Sequence, residues 1–266
     1  VCTPEDISSL QDPNWLSPLT VSFVRDRTNS LLNPTQGYQV VLNFEHASLV
    51  TGSNFPYQRA VSELTKYQQT GNGHVLAARL RGGWVGAGAV DLPLGVAEIV
   101  HPQKRFYSGG ANSVRGFAQN QLGPRVLTVG VSRLLLPSSP DSKTACQPDE
   151  ILLLTCDAGP LQNEGGYGTP RPTGGEIVVE GGLEYRMPVG VRMEAAVFAD
   201  FGRIWAPGYV GTLEIAPGLG FRYLSPIGPI RLDVGYRYRG LENLQVVTSQ
   251  IRHFDSAQGD VEADKI

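Results

Sequence analysis

Arg115 is the residue whose chemistry most needs a partner. It stands in Val114-Arg115-Gly116-Phe117, within a Gly-rich stretch from Arg105 to Arg125. Gly109, Gly110 and Gly116 suit a tightly folded loop, because glycine accepts backbone angles that other residues resist. A single Arg at the tip of such a loop either stays in bulk water or finds an anion. Two carboxylates on adjacent predicted strands, Glu184 and Asp200, admit two uses. They could work as an acid–base pair, or they could neutralise Arg115. The second use is preferred, because a charge enclosed by strands needs partners.

Other chemistry has little support. His46, His74, His101 and His253 lack HExxH or CxxC-type metal spacing. There is no GxSxG nucleophile turn, and no Gly-rich run has the context or lysine of a phosphate loop. The chain therefore does not read as an enzyme, and no catalytic residue, metal or cofactor is predicted. A formal charge of −3 gives no reason to expect a nucleic-acid partner. Of three cysteines, Cys2 is isolated, whereas a Cys146–Cys156 disulfide would close a short loop and suit an oxidising compartment. Two free thiols are the alternative.

The elements that would position Arg115 and its acids read as strands. Gly 32 and Pro 19 in 266 residues are more than helices tolerate. Alternation of apolar and polar side chains marks 19–26, 37–47, 57–69, 75–84, 176–187, 191–201, 213–224 and 230–238. Thr70-Gly71-Asn72-Gly73 is a hairpin signal, and Asn33-Pro34-Thr35-Gln36-Gly37 is a turn. Residues 126–136 form a further candidate strand, 137–175 are irregular apart from the apolar run 151–154, and no helix carries a 3.6-residue stripe. A soluble sandwich could use such alternation with its apolar face as core. A barrel with lipid outside and water inside could use it equally.

Two observations favour the barrel. Charges recur on the class of residues assigned to the inside: Arg25, Glu45, Arg79, Arg81, Glu184, Arg186, Arg192, Glu194, Asp200, Arg231 and Asp233. Short turns at 33–37, 70–73, 187–190 and 225–229 also alternate with long connections at 48–56, 87–125, 126–175 and 203–212, as they do on the two rims of outer-membrane barrels. The predicted fold is all-β, a transmembrane antiparallel up-and-down β-barrel. No run approaches the ~20 apolar residues of a membrane helix. The amino-terminal sequence carries no signal peptide and reads as a mature or partial product.

At Val114-Arg115-Gly116-Phe117 the chain resembles the Omp85 superfamily, whose barrels carry a VRGF or VRGY motif on a loop folded into the lumen. Phe106-Tyr107-Ser108-Gly109-Gly110 is similar to the family's FYxGG lead-in. Phe198-Ala199-Asp200-Phe201-Gly202 resembles its F-x-D-x-G strand, and Glu184-Tyr185-Arg186-Met187-Pro188 its ExRxP strand and turn. Phe23 to Gly37 and Gly220 to Asp233 match further family segments in the same order.

The resemblance implies the carboxy-terminal half of a sixteen-stranded barrel, holding the eighth to fifteenth strands. Within 1–266 it places the motif loop at 87–125, an extracellular capping insertion at 126–175 and the final strands at 176–238. A tail follows at 239–266, in which 244–254 could supply the last strand. It also implies that Arg115 bonds to Asp200 and Glu184. In function the chain would resemble BamA-like and TamA-like factors, which insert unfolded outer-membrane proteins into the outer membrane of Gram-negative-type bacteria by opening a barrel seam. The lipid bilayer, unfolded substrates, and periplasmic or surface accessory proteins would be its partners. A two-partner-type secretion pore and a plugged anchoring barrel are the alternatives.

Overall fold

The computed structural model describes residues 15–92, 95–128, 170–226, 228–237 and 245–247. Strands β1 (Leu19–Asp26), β2 (Gly37–Ala47), β3 (Tyr57–Gln69) and β4 (Val75–Ala87) precede the Gly-rich loop. A hairpin of β5 (Ala89–Leu92) and β6 (Gly95–Glu98) follows, then β7 (Arg125–Thr128) and β8 (Arg171–Pro172). After these come β9 (Ile177–Pro188), β10 (Met193–Ala206), β11 (Tyr209–Val210), β12 (Glu214–Ser225), β13 (Gly228–Gly235) and β14 (Gln245–Val247). Among the described residues there is no α-helix, only single 3-10 turns at Leu49–Thr51, Gly71–Gly73 and Pro102–Lys104.

The chain divides into two compact units. The larger holds Cys2–Pro124 and Gly174–Arg239; the smaller holds Arg125–Thr173 and Gly240–Ile266. In the larger unit one antiparallel sheet runs β1-β2-β3-β4-β9-β10-β12-β13, with β11 added to the end of β10. Every neighbour in that path is also the next long strand in sequence. The topology is therefore an up-and-down meander with its longest excursion between β4 and β9. In the smaller unit β7 pairs with β8 and, in parallel, with β14. The described part of the 244–254 segment thus lies against β7 rather than continuing from β13. Cys146, Cys156 and most of the 126–175 insertion lie outside the described residues.

Register gives the large sheet two distinct faces, since side chains alternate along each strand. On one, Val21, Phe44, Ala60, Trp84 and Ile177 fall in one cross-strand row, and Tyr185, Val197, Leu219 and Val234 in another. Large side chains here stay exposed, Leu183 at 57% and Leu219 at 65%. That is the pattern of a lipid-facing surface. On the other face, Glu45 lies opposite Arg59, Glu63 opposite Arg81, Arg81 opposite Glu180, and Glu194 opposite Arg222. Charges are concentrated where strands and loop enclose them, and most of the exposed apolar side chains of the strands lie on the opposite face.

The sheet also curls. Asn33 and Pro34, in the turn between β1 and β2, bond to Arg186 on β9 and Glu194 on β10. Along the sheet β2 and β9 are three strand spacings apart, roughly 14 Å. A turn can bridge that separation only across the concave side.

Two sequence assignments need correction. Arg25 does not face inward: it pairs with Val40, on the face of Phe23 and Leu42, with its guanidinium 5.9 Å from the Tyr38 ring centre. Its position two residues after Phe23 fixes that side, whatever its charge. Residues 203–212 are also not a plain loop. Arg203, Ile204 and Trp205 continue β10 against Val179, Val178 and Ile177, and a tight turn at Pro207 and Gly208 returns the chain into β11.

Candidate functional site

The Gly-rich loop lies on the charged face. Register sets Glu184 opposite Phe198 and Gly182 opposite Asp200, so the two acids are diagonal neighbours on β9 and β10. Arg115 reaches both. Its Nε donates to Asp200 Oδ2 at 2.7 Å and its Nη2 to Oδ1 at 2.8 Å, a two-pronged contact that a planar guanidinium makes well. Nη1 donates to Glu184 Oε2 at 2.7 Å and to Asp233 Oδ2, on β13, at 3.1 Å. The Arg115 backbone N–H donates to the same Asp200 carboxylate at 3.0 Å. Phe198 closes the far side, its ring centre 3.4 Å from the guanidinium carbon. Burial disfavours the charge on Arg115, but hydrogen bonds to Asp200 and Glu184 outweigh it and hold its pKa above the ordinary arginine value.

A second ring of charge holds these acids. Glu184 Oε1 accepts from Arg186 Nε at 2.8 Å and also from Arg222 Nη2. Asp233 accepts from Arg231 at 2.6 Å. Beside the cluster lies a cavity of about 370 Å³, with Glu63, Arg79, Arg186, Arg222 and Arg231 among its lining residues. Both oxygens of Asp200 and of Glu184 are taken by guanidinium groups. The geometry suits holding a loop in place rather than moving protons to and from a substrate.

Glycines and apolar side chains of the loop fit the same face. Gly109, Gly110 and Gly116 have φ of +102°, +107° and +98°, values that disfavour side chains. Val114 is fully buried over Gly202, where an added Cβ would lie 2.8 Å from Val114 Cγ2. Phe106, Val114, Phe117 and Leu122 join one buried cluster with Val85, Val100, Val178, Ile204 and Ala216. Of the residues singled out in sequence, Val114, Arg115, Gly116, Phe117, Gly109, Gly110, Glu184, Asp200, Phe198 and Gly202 lie in the loop and the strands against it. Cys146 and Cys156 lie outside the described residues.

Several loop contacts involve residues that no sequence motif marks. Glu180, fully buried, accepts from Ser108 Oγ and from Ser113 Oγ at 2.6 Å each through Oε2, while Oε1 takes Arg81 at 3.0 Å. Arg79 donates to the Asn112 carbonyl at 2.8 Å. Lys104 bonds Glu45 at 2.9 Å, near the loop's entry. Glu180 had a signal: it interrupts the apolar run Ile177-Val178-Val179 and stands in period two with Glu184. Glu180→Gln removes the charge that both serines and Arg81 share. Protease cleavage within 105–113 is expected to rise about tenfold or more, since bonds to a charged group contribute roughly 1.5–3 kcal/mol. An unchanged cleavage rate would show that Glu180 does not hold the loop.

A family model, the Omp85 superfamily domain, matches residues 4–251. The chain belongs to the Omp85 superfamily. Among relatives of this Omp85 chain, the outer membrane protein assembly factor BamA of Neisseria meningitidis serogroup B is 28% identical over 240 residues, covering 84% of this chain and 26% of the relative. BamA of Nitratidesulfovibrio vulgaris is 32% identical over 120 residues, 45% of this chain and 14% of the relative. The sorting and assembly machinery component 50 homolog of Bos taurus is 34% identical over 109 residues, 41% of this chain and 22% of the relative. The crystal structure of BamA from Haemophilus ducreyi lacking POTRA domains 1–3 superposes with a TM-score of 0.60 at 16% identity, over 85% of this chain and 40% of that one. The Omp85 chain thus spans about a quarter or less of these curated relatives, and its meander has the fold of an outer-membrane β-barrel.

Proposed function

We propose that this chain is barrel sequence from an outer-membrane protein assembly factor of the BamA type, and that its VRGF loop works from inside the lumen. Similarity to the meningococcal assembly factor over 240 residues supports this reading. The observation that carries it is the seating of Arg115 among Asp200, Glu184 and Asp233 on the charged face. Unfolded outer-membrane proteins are the proposed substrates, and the lipid bilayer is the proposed surroundings of the exposed apolar face. Insertion proceeds without bond chemistry, by opening a seam between the first and last barrel strands. The docked loop keeps the lumenal wall in register while that seam moves.

The test is depletion of the whole protein in its own cell, followed by quantitation of other outer-membrane barrels. Their abundance is expected to fall and to return on re-expression of the parent protein. Loss of one secreted polypeptide with other barrels unchanged would replace the assembly reading with a secretion pore. No change in either would leave an anchoring barrel.

A further inference from the structure

Glu184 does more than meet Arg115. Its Oε2 takes Arg115 from the motif loop, and its Oε1 takes Arg186 Nε at 2.8 Å. Arg186 then reaches away from the loop: its Nη1 donates to the Pro34 carbonyl at 3.1 Å and, more weakly, to Asn33 Oδ1 at 3.4 Å. Asn33 Nδ2 faces Glu194 Oε1, also at 3.4 Å. The turn carrying Asn33 and Pro34 joins β1 to β2, on the rim of short turns. The motif loop enters from the opposite rim, between β6 and β7. A chain of four groups, Arg115–Glu184–Arg186–Pro34, therefore links the inserted tip of that loop to the turn on the short-turn rim.

The turn has few other ties to the wall. It is held internally, with Asn29 Oδ1 accepting from the backbone N–H groups of Thr35 and Gln36 at 3.0 and 3.1 Å. Its tip leaves Leu31 and Leu32 exposed, at 90% and 62%. Its described contacts across the concave face to β9 and β10 are those of Asn33 and Pro34. Arg186 cannot serve Glu184 and Pro34 together unless Glu184 keeps its rotamer, and Arg115 is one of the groups that fix that rotamer.

We propose that Glu184 and Arg186 couple the motif loop to the β1–β2 turn, so that undocking either element loosens the other. With Arg115 withdrawn, Glu184 is free to turn toward Arg186 and Arg222, and Arg186 follows it away from the Pro34 carbonyl. The turn then swings off the concave face and widens the short-turn end of the lumen. Coupling of this kind is reciprocal by thermodynamic necessity. The inference stands on the contacts themselves and does not depend on what the barrel inserts.

Hydrogen–deuterium exchange on the full-length protein in detergent micelles or nanodiscs reads both ends at once. Arg115→Met is expected to raise exchange at Asn29, Thr35 and Gln36 about fivefold or more, the lower end of ordinary coupling, although none of these residues touches Arg115. Asn33→Ala, which leaves Glu184 and its arginines intact, is expected to raise exchange at the Arg115 and Ser113 amides in return. Arg115→Met with Asn33→Ala should do little more at either end than the larger single change. The proposal is overturned if each substitution acts only at its own end, or if the double variant is fully additive. Should Arg115→Met fail to fold, the response of the loop to Asn33→Ala decides alone.

Discussion

Asp200→Ala is expected to release the motif loop, at a cost of about 3–5 kcal/mol, because it leaves the Nε and Nη2 donors of a guanidinium that the fold holds out of water without their acceptor. Asp200 is 3% exposed and accepts three bonds from one residue, two from the Arg115 side chain and one from its backbone N–H. Glu184 and Asp233 remain but cannot replace it. Glu184 already serves Arg186 and Arg222, and Asp233 already serves Arg231. The expected result is rapid protease cleavage between Gly109 and Gly123 in a protein whose sheet still resists. Asp200→Asn keeps the shape and loses the charge, so it is expected to lie between Asp200→Ala and the parent. An Asp200→Ala loop as resistant as the parent's would mean that the loop is held by its apolar side chains alone.

A second large effect comes from a position with no polar chemistry. Gly235 ends β13 where the loop backbone crosses it, and a Cβ there would lie 2.6 Å from the Gly116 nitrogen and 2.7 Å from the Arg115 carbonyl carbon. Neither atom belongs to a side chain that can swing aside. Gly235→Ala is therefore expected to push the loop off β12 and β13, costing about 1–3 kcal/mol in the way of other overpacked sites. It should raise loop cleavage while leaving all the ion-pairing residues in place. Gly71→Ala, at a rim glycine with nothing within 4 Å, is the matched control and should behave as the parent. If Gly235→Ala leaves loop protection unchanged, the close approach of Gly116 to β13 is not the docked arrangement in solution.

Much of this was open to sequence reading because it follows from period and punctuation. Strand alternation located the eight long strands of the large sheet, and Asn72 with φ of 62° fits the hairpin that Gly71-Asn72-Gly73 suggested. What the alternation of one strand cannot give is register across several. Asp233 joins Arg115 from 118 residues further along, because β13 follows β12 and β12 follows β10, and no local pattern points to that meeting. The charge of Arg25 suggests the inside, whereas its pairing with Val40 sets it on the outer face. Glu180 was hidden among valines and glycines, where a lone acid reads as an exception and not as the anchor of Ser108 and Ser113. The reach of Asn33 to Arg186 depends on sheet curvature, which a linear sequence does not display.

The pairing of Arg115 with Asp200 is tested most directly by a double-mutant cycle read as loop protection in the full-length protein. Arg115→Met, Asp200→Leu and the two together are compared with the parent under one protease. If the two residues act through each other, the double variant is no more labile than the worse single one, because removing both partners leaves no buried charge unpaired. Fully additive losses would show that Arg115 and Asp200 act independently, and the loop would not be held by this pair.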